Sequence, residues 1–261
     1  MQYKDFKRDF WMLKDKLASG ENFAFSRYSD GEMMIMQNQH LVLDDKSTRL
    51  DGKKVGMKYD DIDHKEYDPT KHGDFHQRLM DAYQYEDKNY FVGLSCPCCV
   101  GSKNNQWMKE QRGESSQEQL TWANLFVNSN YSLFLDNIVP LLEDREVVFV
   151  CNKKSNLEKL PFKVAKDFRI GKNAMINDIG LVEEMSEWIG NNKIKEHVFL
   201  FSASTLSNIL IYELYRKFPE NTYMDVGTTL HPYMDMPIQR NYLRGYWLKS
   251  GNTEIKKHCV W

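Results

Sequence analysis

The chain has no excess of basic residues: 35 lysines and arginines stand against 37 aspartates and glutamates, for a formal net charge of −2. A protein that grips nucleic-acid phosphates usually carries a basic surplus, so no nucleic-acid partner is expected. Long apolar runs are missing as well. No stretch approaches the ~18–20 residues that cross a bilayer, so no transmembrane segment is expected. Residues 1–16 alternate charge with aromatics and lack the apolar centre of a signal peptide. Cysteine is scarce: Cys96, Cys98, Cys99, Cys151 and Cys259 are odd in number and form no spaced framework. These absences lead to the expectation of a reduced, soluble, cytoplasmic protein.

Internal repeats, low-complexity tracts and Pro/Gly/Ser-rich linkers are also lacking. The 261 residues are therefore read as a single domain, with a polar insertion at about 44–74 and a tail after 235. A body of this size buries about 70–75% of its unfolded surface and folds without staples. Neither the dinucleotide fingerprint G-x-G-x-x-G nor the P-loop G-x-x-x-x-G-K-[ST] occurs, which removes most of the case for a dehydrogenase or a P-loop kinase.

What is present is alternation. Phe6, Phe10, Leu13 and Leu17 recur at helical spacing, and residues 23–28 form a short strand-like run before a turn and an apolar helix start at Met33. Helices are expected at 75–86, 131–143, 156–166, 179–190 and 206–218. Buried strands are expected at 90–94, 146–151, 197–201 and 223–226, and residues 44–74 read as a long polar loop. Strands alternating with helices give an α/β fold, a Rossmann-like parallel sheet with helices on both faces.

Ligands of such sheets bind at the carboxyl ends of the strands. The most specific feature there is Arg27-Tyr28-Ser29-Asp30-Gly31-Glu32. Two carboxylates flanking one glycine can face the mouth of the sheet, and a hard divalent cation takes a few such oxygens plus substrate phosphates. Arg27 adds a planar cation for a phosphate or for one of the acids. An aspartate followed by a first-turn glutamate is equally ordinary helix-capping chemistry, and composition alone favours that reading.

The same hexapeptide resembles the R-[FY]-[GS]-D-G-E signature of the GT-D type glycosyltransferases, a family long labelled a domain of unknown function. The segments running from Phe199 to Leu210 and from Tyr223 to Tyr233 resemble that family's later strand–turn–helix and D-[VI]-G pieces, in the same order. At the small-residue turn this chain carries Ser202-Ala203-Ser204 in place of Gly-Pro-like chemistry. The resemblance implies a GT-D-like fold and a metal-dependent transfer of a sugar from a nucleotide-diphosphate sugar, a UDP-sugar first among them, to a glycan or glycoconjugate acceptor. It further implies that Asp30 and Glu32 bind Mn²⁺ or Mg²⁺ at the diphosphate and act in catalysis.

Other candidates follow from position. Arg27, Gly31, Asn152, Lys153, Ser202, Ser204 and Thr205 are candidates for holding the donor, and Asp225 for a sugar-binding acid or general base. His231 and Asp235 are weaker. Trp107, Trp122, Tyr233, Tyr242 and Trp247 could stack on sugars, although most aromatics are core. Cys96-Pro97-Cys98-Cys99 is too tight for paired zinc ligands and has no second pair, so zinc is not expected. Asp60-Asp61-Ile62-Asp63 lacks the glycine and glutamate of a calcium loop. The competing readings are a nucleotide- or glycan-binding module of the same fold without catalysis, and a phosphodiester hydrolase.

Overall fold

A computed structural model describes residues 6–56, 63–112 and 119–249. The chain opens with α1 (Phe6–Ser19), β1 (Ala24–Tyr28) and α2 (Asp30–Met36). Four short strands follow: β2 (Leu41–Leu43), β3 (Thr48–Leu50), β4 (Lys53–Gly56) and β5 (Lys65–Tyr67). Then come α3 (Gly73–Gln84), β6 (Tyr90–Leu94), α4 (Pro97–Val100), α5 (Ser102–Glu110), β7 (Leu120–Trp122) and α6 (Tyr131–Asn137). The second half holds β8 (Val147–Asn152), β9 (Val164–Ile170), α7 (Ala174–Asn177), α8 (Leu181–Asn192), β10 (Val198–Phe201), α9 (Leu206–Lys217), β11 (Thr222–Asp225) and α10 (Asn241–Trp247).

Seven of these strands form one sheet in the order β7-β6-β1-β11-β10-β8-β9, and every pairing in it is parallel. The expected α/β architecture is what the chain adopts. Strands β6, β8 and β10 are near-continuous apolar runs because both faces of the sheet are covered there. Ala24 and Tyr28 of β1, Val148 and Val150 of β8, and Phe199 and Phe201 of β10 pack into the core beneath α3, α8 and α9. Their neighbours Phe25, Phe149 and Leu200 point to the opposite core, with Phe10 and Leu13 of α1 and Phe134 of α6. Each such side chain contributes about 1.5–3 kcal/mol on burial. Truncating Phe199, which has no exposed surface and stacks on Tyr223 at 5.0 Å, would cost about 3–5 kcal/mol.

From β1 the chain builds outward to β6 and β7 on one side, whereas β11, β10, β8 and β9 lie on the other. The order therefore reverses between β1 and β11. At such a switch the loops leaving neighbouring strands turn to opposite faces and open a crevice at their carboxyl ends.

Two expectations fail here. Residues 44–74 are not one polar loop: β2 to β5 form an antiparallel sheet in the order β4-β3-β2-β5. Its strands of three or four residues are too short to show an alternation. Residues 156–166 are not a helix either; they are irregular up to Val164, where edge strand β9 begins. The interval 131–143 is divided, with α6 followed by a 3-10 turn at Val139–Leu142 that begins beside Pro140.

Candidate functional site

The corner between β1 and α2 brings the first candidates together. Arg27 near the end of β1 donates from Nε to the Ala123 carbonyl at 2.7 Å, and its Nη1 lies 3.9 Å from Asp225 Oδ1 at the end of β11. Ser29 is the N-cap of α2, and the Glu32 carboxylate reaches back so that its Oε2 accepts the Ser29 N–H at 3.0 Å. The capping reading thus holds for Glu32, which is buried. Asp30, two residues earlier, is exposed on the cleft wall, its Oδ1 accepting the Gly31 N–H at 3.0 Å.

Glu32 is buried because three partners satisfy it. Besides Ser29, its Oε1 accepts the Thr205 hydroxyl at 2.7 Å and the Lys65 ammonium at 3.3 Å. Burial pushes this carboxyl up, but Lys65, Thr205 and the Ser29 amide outweigh it and hold the pKa below the usual glutamate value. Asp225 has the opposite fate. Burial raises its pKa to about 6, and the negative charge of Glu32 adds to the rise, against the pull of Arg27 and the Gly227 N–H. The two acids therefore differ in character: Glu32 stays ionised, and Asp225 titrates close to neutrality.

Lys65 is the residue the sequence did not point to. It sits on β5 of the small sheet, in a segment without pattern, and only the fold carries it to α2. The strand is pinned on either side of it: Asn173 N–H donates to the His64 carbonyl, and the Asn173 side-chain oxygen accepts the Glu66 N–H at 2.9 Å. Gly31 leaves the room it needs, since a Cβ there would stand 3.1 Å from Lys65 Nζ. Gly227 is a second spacer. Its φ is +50°, and a Cβ would lie 2.5 Å from Arg27 Nη1.

These groups line one cleft of about 490 Å³, within the range of small-molecule sites. Asp30, Glu32, Arg27, Gly31, Asn152, Ser202, Ser204 and Asp225 all belong to its wall. Leu41, Leu43 and Thr48 of the small sheet close one side, and Arg240 closes another. His231 also lines it, with burial lowering its pKa so that the ring is neutral at physiological pH.

Three expected positions change role. Thr205 is fully buried, and its only hydroxyl proton goes to Glu32, so it holds the acid in place and offers nothing to a phosphate. Lys153 is exposed and lies outside the cleft wall. Asp235 pairs with Lys159 at 2.6 Å on the surface. Of the aromatics, Tyr242 reaches the cleft and bonds Thr228 at 3.0 Å, while Trp107, Trp122, Tyr233 and Trp247 pack elsewhere. The Asp60–Asp61–Ile62 stretch, Cys259 and the tail from 250 onward lie outside the described residues.

A magnesium- or manganese-type ion takes oxygens from one or two carboxylates, with phosphates and water completing its shell. Asp30 offers such an oxygen on the cleft wall, and Glu32 Oε2 keeps lone-pair capacity beside its bond to Ser29, so the donors fit a hard cation in kind. The other Glu32 oxygen is held by Lys65, which any cation approaching from that side would meet.

The fold has known counterparts. A solved structure of the domain of unknown function 1792, described as having a distinct glycosyltransferase fold, matches with a TM-score of 0.54 over 86% of this chain and 78% of that one, at 13% identity. A selenomethionine-substituted structure of domain 1792 gives a TM-score of 0.52, 13% identity, and coverage of 86% and 84%. This chain has that fold. No protein-family model and no curated protein sequence matches it. Among the described residues no helix is long and apolar enough to cross a membrane.

Proposed function

We propose that the chain is a glycosyltransferase that moves a sugar from a nucleotide-diphosphate donor, a UDP-sugar first among candidates, to a glycan or glycoconjugate acceptor. The observation that carries this reading is the opposed pair of charges at the β1/β11 switch. Lys65 pairs with Glu32, Arg27 faces the proton-accepting acid Asp225, and Asp30 lines the same cleft.

Breaking the bond between the anomeric carbon and the donor diphosphate leaves negative charge on phosphate oxygens. Fixed cations at those oxygens stabilise the transition state because they need no reorganisation as the charge grows. Arg27 is fixed by the Ala123 carbonyl and Lys65 by Glu32, so both meet that requirement. Asp30 and Glu32 would hold a divalent ion, which supplies further charge neutralisation when bound. Ser202 and Ser204 offer hydroxyl groups to the donor from the turn between β10 and α9. The acceptor hydroxyl must lose a proton as it attacks, and an acid with a pKa of about 6 is mostly ionised at neutral pH and suited to accept it. The small sheet and the segment after 235 would shape the acceptor side.

The test is a panel of nucleoside diphosphates and nucleotide sugars with and without Mn²⁺, read by thermal shift and by nucleotide release with a glycan acceptor. Binding of a diphosphate and loss of turnover in Asp225→Asn and Asp30→Ala are expected. Binding without turnover of any donor would make the chain a binding module. Release that ignores the acceptor would make it a hydrolase.

A further inference from the structure

After β6 the chain carries Cys96 at the N-cap of α4 and Cys98 and Cys99 within that helix, a spacing that argued against zinc. Folding changes the argument. The turn into α4 gathers the three thiols so that their sulfurs all lie within 4.8 Å of one another, and Cys96 Sγ and Cys99 Sγ are 3.4 Å apart. Two sulfurs on a tetrahedral zinc, with Zn–S near 2.3 Å, stand about 3.8 Å apart. The Cys96–Cys99 pair is close to that spacing and no pair exceeds it by more than about 1 Å, so little movement is needed to bring the three sulfurs onto a single ion.

The surroundings suit a charged sulfur. The Asn124 side-chain amide donates to Cys96 Sγ at 3.7 Å, the kind of outer hydrogen bond that orients and stabilises a metal-bound thiolate. Cys96 is buried at the N-cap, whereas Cys98 and Cys99 are exposed and line the cleft wall with Asn124. An ion held by all three would present its remaining position to the cleft. We infer that Cys96, Cys98 and Cys99 form a three-thiolate site for one Zn²⁺ ion, open on its fourth side to the cleft.

Binding replaces three S–H protons with one Zn²⁺, so it releases three protons and leaves the oxidation state of sulfur unchanged. Thiolate sulfur selects zinc over the hard cations that Asp30 and Glu32 would take, so the two sites discriminate by ligand chemistry. The site stands on the sulfur geometry alone and does not depend on the glycosyl-transfer reading.

The experiment uses the full chain kept reduced with a phosphine. Zn²⁺ is titrated against a chromophoric chelator, and cysteine alkylation is mapped by mass spectrometry with and without the metal. One equivalent of Zn²⁺ is expected to bind, to protect Cys96, Cys98 and Cys99 from alkylation, and to be displaced by a strong chelator. Co²⁺ in its place should give the intense sulfur-to-metal charge-transfer absorption of a thiolate site. Cys98→Ser and Cys99→Ser should abolish stoichiometric binding, Asn124→Ala should weaken it by about tenfold or more, and Cys151→Ala should leave it intact. Alkylation of the 96–99 peptide that is unchanged by Zn²⁺ overturns the site even if a variant fails to fold. Equal protection by Mg²⁺ overturns it as well.

Discussion

Asp225 faces two opposing demands: its position suits proton transfer, and its burial strains the fold. Its carboxyl goes from 3.8 in the unfolded chain to about 6 in the folded one, so the native state holds the proton more tightly. Stability is then unaffected below pH ~4, falls as pH rises between the two values, and is fully reduced above ~6, by up to roughly 3 kcal/mol. Asp225→Asn keeps an acceptor for the Gly227 N–H but cannot ionise. It is expected to be about 1–3 kcal/mol more stable than the parent at pH 7, equal to it near pH 4, and inactive. Urea midpoints at the two pH values check this, and identical midpoints at pH 7 would refute the buried-charge account. Thr205 gives the complementary case. Thr205→Val preserves shape and removes the hydroxyl that Glu32 accepts, so a loss of about 1–3 kcal/mol is expected, with Thr205→Ser restoring most of it. The sequence marked Thr205 as a donor next to a cleft, and a hydroxyl at a helix start looks alike whether it serves a phosphate or a buried acid.

Elements decide which side chains can meet, and the turn after β11 shows how narrowly. Gly227 has φ +50° and lies directly under Arg27, where an added Cβ would come within 2.5 Å of the guanidinium. Gly227→Ala is expected to cost about 1–2 kcal/mol from the left-handed backbone. It should also push Arg27 off its line to Asp225, weakening nucleoside diphosphate binding. Calorimetric titration of the variant measures this; unchanged affinity would mean that Arg27 has no part in the donor site. The strand–turn–helix of β1 and α2 was legible because the largely buried run of β1, four of its five residues, adjoins a capping motif in sequence. The buried strands β6, β8 and β10 were legible as near-continuous apolar runs, and β11 from Tyr223 and Met224 at the end of the alternation. The small sheet and β9 were not: three-residue strands carry no period, and an edge strand such as Val164–Ile170 is half exposed and rich in charge. That blind spot hid Lys65. Nothing local distinguishes it from 34 other basic residues, because its meaning comes from β5 pairing with β2 and from Asn173 pinning the strand.

For the whole molecule, the placement of the cleft at the β1/β11 switch ties ligand binding to global stability. A diphosphate there would bridge loops from β1, β8, β10 and β11, drawn from both sides of the reversal, with the small sheet as a wall. A ligand that binds only the folded state stabilises it by about 2.7 kcal/mol at a hundred times its dissociation constant, and the whole domain should melt later as one unit. Lys65 sets how that effect depends on metal. It holds Glu32 Oε1 by charge, so a cation arriving at Glu32 competes with an ammonium already in place. Removing the ammonium as Lys65→Met leaves a buried carboxylate seeking a partner. The variant is therefore expected to bind Mn²⁺ more tightly than the parent, and to lose more of its nucleoside diphosphate affinity without Mn²⁺ than with it. Thermal shifts over a grid of Mn²⁺ and nucleoside diphosphate concentrations separate the two effects. If the variant and the parent respond to Mn²⁺ identically, Glu32 does not take part in holding the ion, and any divalent cation in the cleft must rest on Asp30 and the ligand alone.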